Sequence, residues 1–109
     1  MTPAAYQILL SLADAERHGY GIMLEVAERT GDEVRLGPGT LYRSIKQLRK
    51  AGLIEATKSD DRLGDDGDRR RFYRITEAGR GALEWEAGRL ARLVAQARTK
   101  RVIDELGQA

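Results

Sequence analysis

Residues 35–54, RLGPGTLYRSIKQLRKAGLI, constrain the fold of this chain most. They predict a short helix over 38–51 with a turn at each end. Pro38 suits the first helical turn, where its missing N–H costs nothing. Gly52 follows the last periodic residue and suits a left-handed C-cap. Leu41, Ile45 and Leu48 recur at helical spacing and share one stripe. Arg43, Lys46, Gln47 and Lys50 fall on the opposite side. From Arg35 to Lys50 there are five Lys/Arg and no Asp or Glu. A solvated helix usually mixes signs to gain i,i+4 pairs, whereas one-signed charge attracts phosphate. The plainer alternative is a surface helix that happens to be basic.

The charge of the whole chain says less than its distribution. The 109 residues carry a net charge of +2. Residues 35–75 hold eleven Lys/Arg against six acids, and the remainder of the chain is net acidic. Apolar content of 41% and charged content of 33% describe a globular domain with a modest core. With no cysteine, disulfides and thiolate metal sites are excluded, and a reducing compartment is the simpler expectation. No long apolar run and no signal peptide are visible, so a cytoplasmic protein is expected.

Around the basic segment the pattern predicts helix, helix, helix, strand, loop, strand, helix. Residues 3–13 form a first helix, 14–19 a polar turn and 20–30 a second helix ended by Gly31. Residues 34–36 form a very short strand. Residues 53–58 alternate like a strand, 59–68 are a Gly/Asp hairpin loop, and 69–75 return with Phe72 inward. Thr76 caps a final helix running to about Leu106, with Gly79 and Gly81 weakening its first turns. The fold class is mainly α with a small β-hairpin: a winged helix-turn-helix over 1–76, then a long helix over 77–109.

Leu83, Ala87, Leu90, Val94 and Ala97 step by four and three, a heptad seam. Leu93, Val102, Ile103 and Leu106 add a second apolar edge. A helix of roughly 30 residues is about 45 Å long, more than a three-helix core can cover. A homodimer built on this helix and the first helix is the expected solution, and folding back on its own domain is the alternative. Two-fold pairing also presents two recognition helices to a pseudo-palindromic DNA operator.

The blocks HGYGI (18–22), RLGPGTLYRSIKQLRKAGLIE (35–55) and RRRFYRITEAGRGAL (69–83) resemble PadR-family transcriptional regulators in order and spacing. The resemblance spans nearly the whole chain and fits the small subgroup with one C-terminal dimerisation helix. It implies a winged-helix domain and repression of nearby genes. It also implies that Thr40, Tyr42, Arg43, Lys46 and Gln47 face the operator, that Tyr20 reaches a phosphate, and that Arg69, Arg70 and Arg71 form the base of the wing. Some relatives stack flat aromatic effectors on a tryptophan of the last helix. Here that position falls near Leu90, while the only tryptophan is Trp85, so an aromatic effector is weakly supported and its identity is open.

Residue chemistry sorts the contacts. Arg43 and Gln47 suit guanine and adenine edges. Arg49, Lys50 and Arg71 suit phosphates, which set position rather than sequence. Tyr42 suits core packing and a phosphate bond equally. His18 reads as a turn or helix-start residue. The wing tip carries five Asp and lacks Ca²⁺-loop spacing, so it reads as a solvated, mobile turn. No metal, cofactor or catalytic constellation is expected, because a nucleophile elbow and a phosphate-binding glycine loop are both missing. The alternative to a DNA-binding regulator is a winged-helix protein–protein interaction module.

Overall fold

A computed structural model describes residues 1–59 and 71–104. In chain order the elements are α1 (Pro3–Ser11), β1 (Arg17–His18), α2 (Gly19–Arg29), α3 (Pro38–Lys50), β2 (Ile54–Ser59), β3 (Arg71–Ile75) and α4 (Glu77–Thr99). The strands form one antiparallel sheet in the order β1-β3-β2. The three helices and the hairpin strands stand where the pattern predicts. The predicted wing loop lies outside the described residues except at Ser59, the last residue of β2.

The helix ends follow from local chemistry. The Thr2 hydroxyl accepts from Ala5 N–H, and the His18 imidazole accepts from Gly21 N–H, so each caps a helix start. The α3 terminus is a Schellman motif. Leu53 N–H donates to Leu48 C=O at 2.9 Å, Gly52 N–H donates to Arg49 C=O at 3.0 Å, and Gly52 takes φ 77°.

One core joins all the layers. Ile8, Leu9 and Leu12 of the α1 region meet Ile22 and Val26 of α2, and Leu41, Ile45 and Leu48 of α3. Ile54, Tyr73 and Leu83 close it from the sheet and from α4. Tyr73 is fully buried, whereas Phe72 is half-buried. The expectation that Phe72 points inward is therefore corrected. Alternation fixes only that neighbours face opposite ways, and the register of β3 against β1 and β2 turns Tyr73 rather than Phe72 into the core. A register shift between Ala56 and Lys58 gives β2 one extra residue, Thr57, opposite β3.

Three further expectations are corrected. Residues 34–36 are not a strand; Thr30 Oγ1 caps this segment instead, accepting from Val34 N–H at 3.0 Å. The third strand is Arg17–His18, inside the segment expected to be a plain turn. The final helix stops at Thr99, short of Leu106. Its 23 residues span about 35 Å. Arg101 takes φ 60° and closes a second Schellman motif, with Val102 N–H donating to Ala97 C=O at 2.9 Å.

Thr76 caps α4 as expected, accepting from Gly79 N–H at 3.0 Å. Gly79 has a positive role. A Cβ there would stand 2.0 Å from Leu53 O, so only glycine lets α4 lie against the start of β2. Further along, Glu86 is buried and binds Arg89 through Nε at 2.5 Å. That hydrogen bond holds the Glu86 carboxyl below its ordinary range and raises Arg89 in turn.

Candidate nucleic-acid interface

The apolar stripe of α3 is nearly inaccessible, which orients the helix without ambiguity. Leu41, Ile45 and Leu48 are all in the core. Thr40, Arg43, Lys46, Gln47 and Lys50 are all exposed. Arg49 and Lys50 lie in the last turn, where the helix dipole favours cations. No acidic residue stands in the first turn to neutralise the opposite end.

Between α3 and β3 the surface forms an open groove of about 510 Å³. Tyr42, Ile45, Lys46, Arg49, Lys50 and Arg71 line it. Four cations therefore line one groove with Tyr42 and Ile45, an arrangement that attracts phosphate. The Arg49 guanidinium sits 5.9 Å from the centre of the Tyr73 ring, which steadies it beside the groove. Arg69 and Arg70 lie outside the described residues, while Arg71 is half-buried at the start of β3.

Tyr42 sits where both of its expected roles are open to it. Its ring packs on Gly19 so closely that a Cβ there would lie 2.8 Å from the ring and from its hydroxyl oxygen. Its edge still faces the groove. The contact locks the start of α2 onto α3. Sequence reasoning missed Gly19, because a contact 23 positions apart leaves no periodic trace. Tyr20, one residue on, is 54% exposed beside this junction. Its ring is stacked with that of His18 at 6.5 Å. A single surface thus collects α3, the start of α2 and the start of β3.

The expected dimer residues fall into two groups. Leu83 is 6% exposed and belongs to the core of its own chain. Ala87 and Ala97 are half-buried. Leu90 and Val94 are 36% and 38% exposed, and Leu93 and Val102 are more open still. Trp85 is 66% exposed, and helical spacing puts it on the side of α4 away from Leu83 and Leu90. Among the described residues no group of His, Asp or Glu is arranged to hold a metal ion, and no helix is long and apolar enough to cross a membrane.

Three helices, a three-stranded sheet and a cationic third helix define a winged-helix DNA-binding regulator. The chain belongs to the PadR-like family of transcriptional regulators, whose pattern matches residues 8–85. A transcriptional regulator of Mycobacterium tuberculosis is 43% identical over 76 residues, covering 70% of this chain and 64% of that protein. A PadR family transcription regulator from Clostridium difficile has a similar structure, with 25% identity and a TM-score of 0.73 over 94% of this chain and 100% of that one. Bacillus subtilis PadR in complex with operator DNA shares the fold at 24% identity and a TM-score of 0.63, over 77% of this chain and 45% of that one. Three curated relatives differ in length, and the chain spans 67%, 26% and 64% of them.

Proposed function

We propose that this protein is a cytoplasmic repressor that binds an inverted-repeat operator as a homodimer. The observation that carries the reading is the exposed face of α3, which holds Thr40, Arg43, Lys46, Gln47 and Lys50 and no acid. Arg43 and Gln47 read base edges. Lys46, Arg49, Lys50 and Arg71 hold the phosphates along the groove, with Tyr20 and Tyr42 at its margin. Arg69 and Arg70, outside the described residues, precede Arg71 in the sequence and are proposed as further phosphate contacts. The winged-helix part is 1–76, and 77–109 is the dimerisation arm. The exposed Leu90, Leu93, Val94 and Val102 make the seam between two copies, with Ala87 and Ala97 letting the helices approach. Leu83 anchors the arm to its own domain.

Gel shifts with a duplex taken from directly upstream of the reading frame, run across a salt series, test this. Saturable binding should weaken steeply with salt, with a logarithmic slope of about −0.9 per phosphate contacted. Replacing Arg43 and Lys46 together by Ala should reduce both the affinity and that slope while leaving the folded chain intact. Binding no tighter than to random duplex would exclude the operator reading and favour a protein partner on the cationic face.

A further inference from the structure

We propose that the bulge at Thr57 in β2 is a positioning device for DNA binding, which holds Arg71 of β3 over the end of α3. Its consequence rests on the operator reading, whereas the bulge itself is a matter of strand pairing. From the core outwards, β2 and β3 pair regularly as Ile54↔Ile75, Glu55↔Arg74 and Ala56↔Tyr73. The next pairs are Lys58↔Phe72 and Ser59↔Arg71. Thr57 is thus the extra residue. The shift falls immediately beyond the Ala56↔Tyr73 pair, whose tyrosine is fully buried in the core.

Charge explains why this sequence takes the shift. Continuing the inner register without a bulge would pair Thr57 with Phe72 and Lys58 with Arg71. Like charges directly opposite in an antiparallel ladder destabilise it. The extra residue puts neutral Ser59 opposite Arg71 instead. β3 has little freedom to absorb the shift, because β1 pairs with its other edge at Arg17↔Tyr73 and His18↔Phe72. The accommodation falls on β2, where the Thr57 hydroxyl also donates to Phe72 C=O at 3.5 Å.

A bulge bends its strand, sharpens the local right-handed twist and can re-aim a side chain. Here the rung beyond it carries Arg71, which lines the groove with Lys46, Arg49 and Lys50. Arg49 and Lys50 occupy the last turn of α3, and Arg71 comes to them from a different element. Helical spacing cannot bring a cation of β3 to that place; the direction of the outer rungs does. The bulge supplies that direction at the point where the core no longer fixes the sheet.

The test uses the full chain as wild type, Arg71→Ala, Thr57→Val, a chain lacking Thr57, and that deletion combined with Arg71→Ala. Deleting Thr57 leaves every pair on both sides of it available to a regular ladder, so it removes the bulge and no pair. Affinity for the upstream duplex is measured across a salt series. Arg71→Ala should lower the salt slope by about 0.9, one phosphate, and weaken binding several-fold. The deletion should do the same, and combining the two should add nothing further. Thr57→Val keeps the residue count and should bind as wild type. Additive losses, an unchanged slope in the deletion, or a loss in Thr57→Val equal to that of the deletion would each overturn the proposal. If the deleted chain does not fold, Arg71→Ala and the pairing in the wild type decide instead. A lowered slope with cross-strand nuclear Overhauser contacts between Ser59 and Arg71 would support it. An unchanged slope in Arg71→Ala, or contacts pairing Lys58 with Arg71, would overturn it. Absence of specific binding by every chain would count against the operator reading. Phosphate contacts are independent of sequence, so the same slope comparison on random duplex would still decide the role of the bulge.

Discussion

Helices α3 and α4 carry the same kind of apolar stripe and resolve it differently. In α3 the stripe ends when the domain does: Leu41, Ile45 and Leu48 are all covered, and the polar side is left to act. In α4 the stripe outruns the domain. Leu83 and Glu86 are buried, yet Leu90, Leu93 and Val94 continue the same side over solvent. One helix offers its charge and the other offers its leftover apolar surface. Amphipathicity alone therefore does not say which face of a helix is the working face; the reach of the core beneath it does.

The contrast is broken most severely at the place where α4 leaves the domain. Gly79→Ala forces a Cβ against the Leu53 carbonyl and Ile75, and neither can move far. A loss of about 3 kcal/mol or more in chemical unfolding is expected. Next come two changes on one stripe with opposite signatures. Leu83→Ala should cost about 2–4 kcal/mol at any protein concentration, because it hollows the core. Leu90→Asp with Val94→Asp should leave the folded domain nearly unchanged and shift sedimentation to a single copy. Unaltered sedimentation after that double change would remove the exposed stripe from the proposed dimer seam. The smallest effect is at the N-cap of α4. Thr76→Ala should cost about 1 kcal/mol, seen as a lowered unfolding midpoint with an unchanged m-value.

Much of this contrast could be read before any coordinates. Pro38, Gly52 and the spacing of Leu41, Ile45 and Leu48 place α3 and its outward cations, because short-range chemistry decides both ends and one face. Thr76 marks the start of α4 for the same reason. What could not be read depends on distant partners. A two-residue strand such as Arg17–His18 has no alternation to detect, and only β3 makes it a strand. Phe72 and Tyr73 are two phases of one alternating pattern, and the choice between them belongs to the core. The stop of α4 was hidden because Val102 and Ile103 carry the apolar rhythm onward, while Arg101 turns left-handed without a glycine to announce it. Heptad spacing put Leu83 and Leu90 on one seam correctly in angle, but spacing holds no information on where the domain beneath them ends.

Thr76 gives the two helices a shared hinge pin. Its hydroxyl donates to Gly52 C=O at 2.7 Å, just past the end of α3, and accepts from Gly79 N–H in the first turn of α4. Its own N–H donates to Leu53 C=O at 3.0 Å. The elbow between the arm and the reading helix is thus pinned by three bonds at one residue, with glycine-tight packing behind it. These bonds and the Gly79 contact tie the start of α4 to the segment that follows α3. In a two-copy assembly such an elbow works as a ruler: the angle at which two arms cross would set the distance between two reading helices, and so the spacing of DNA half-sites that can be tolerated.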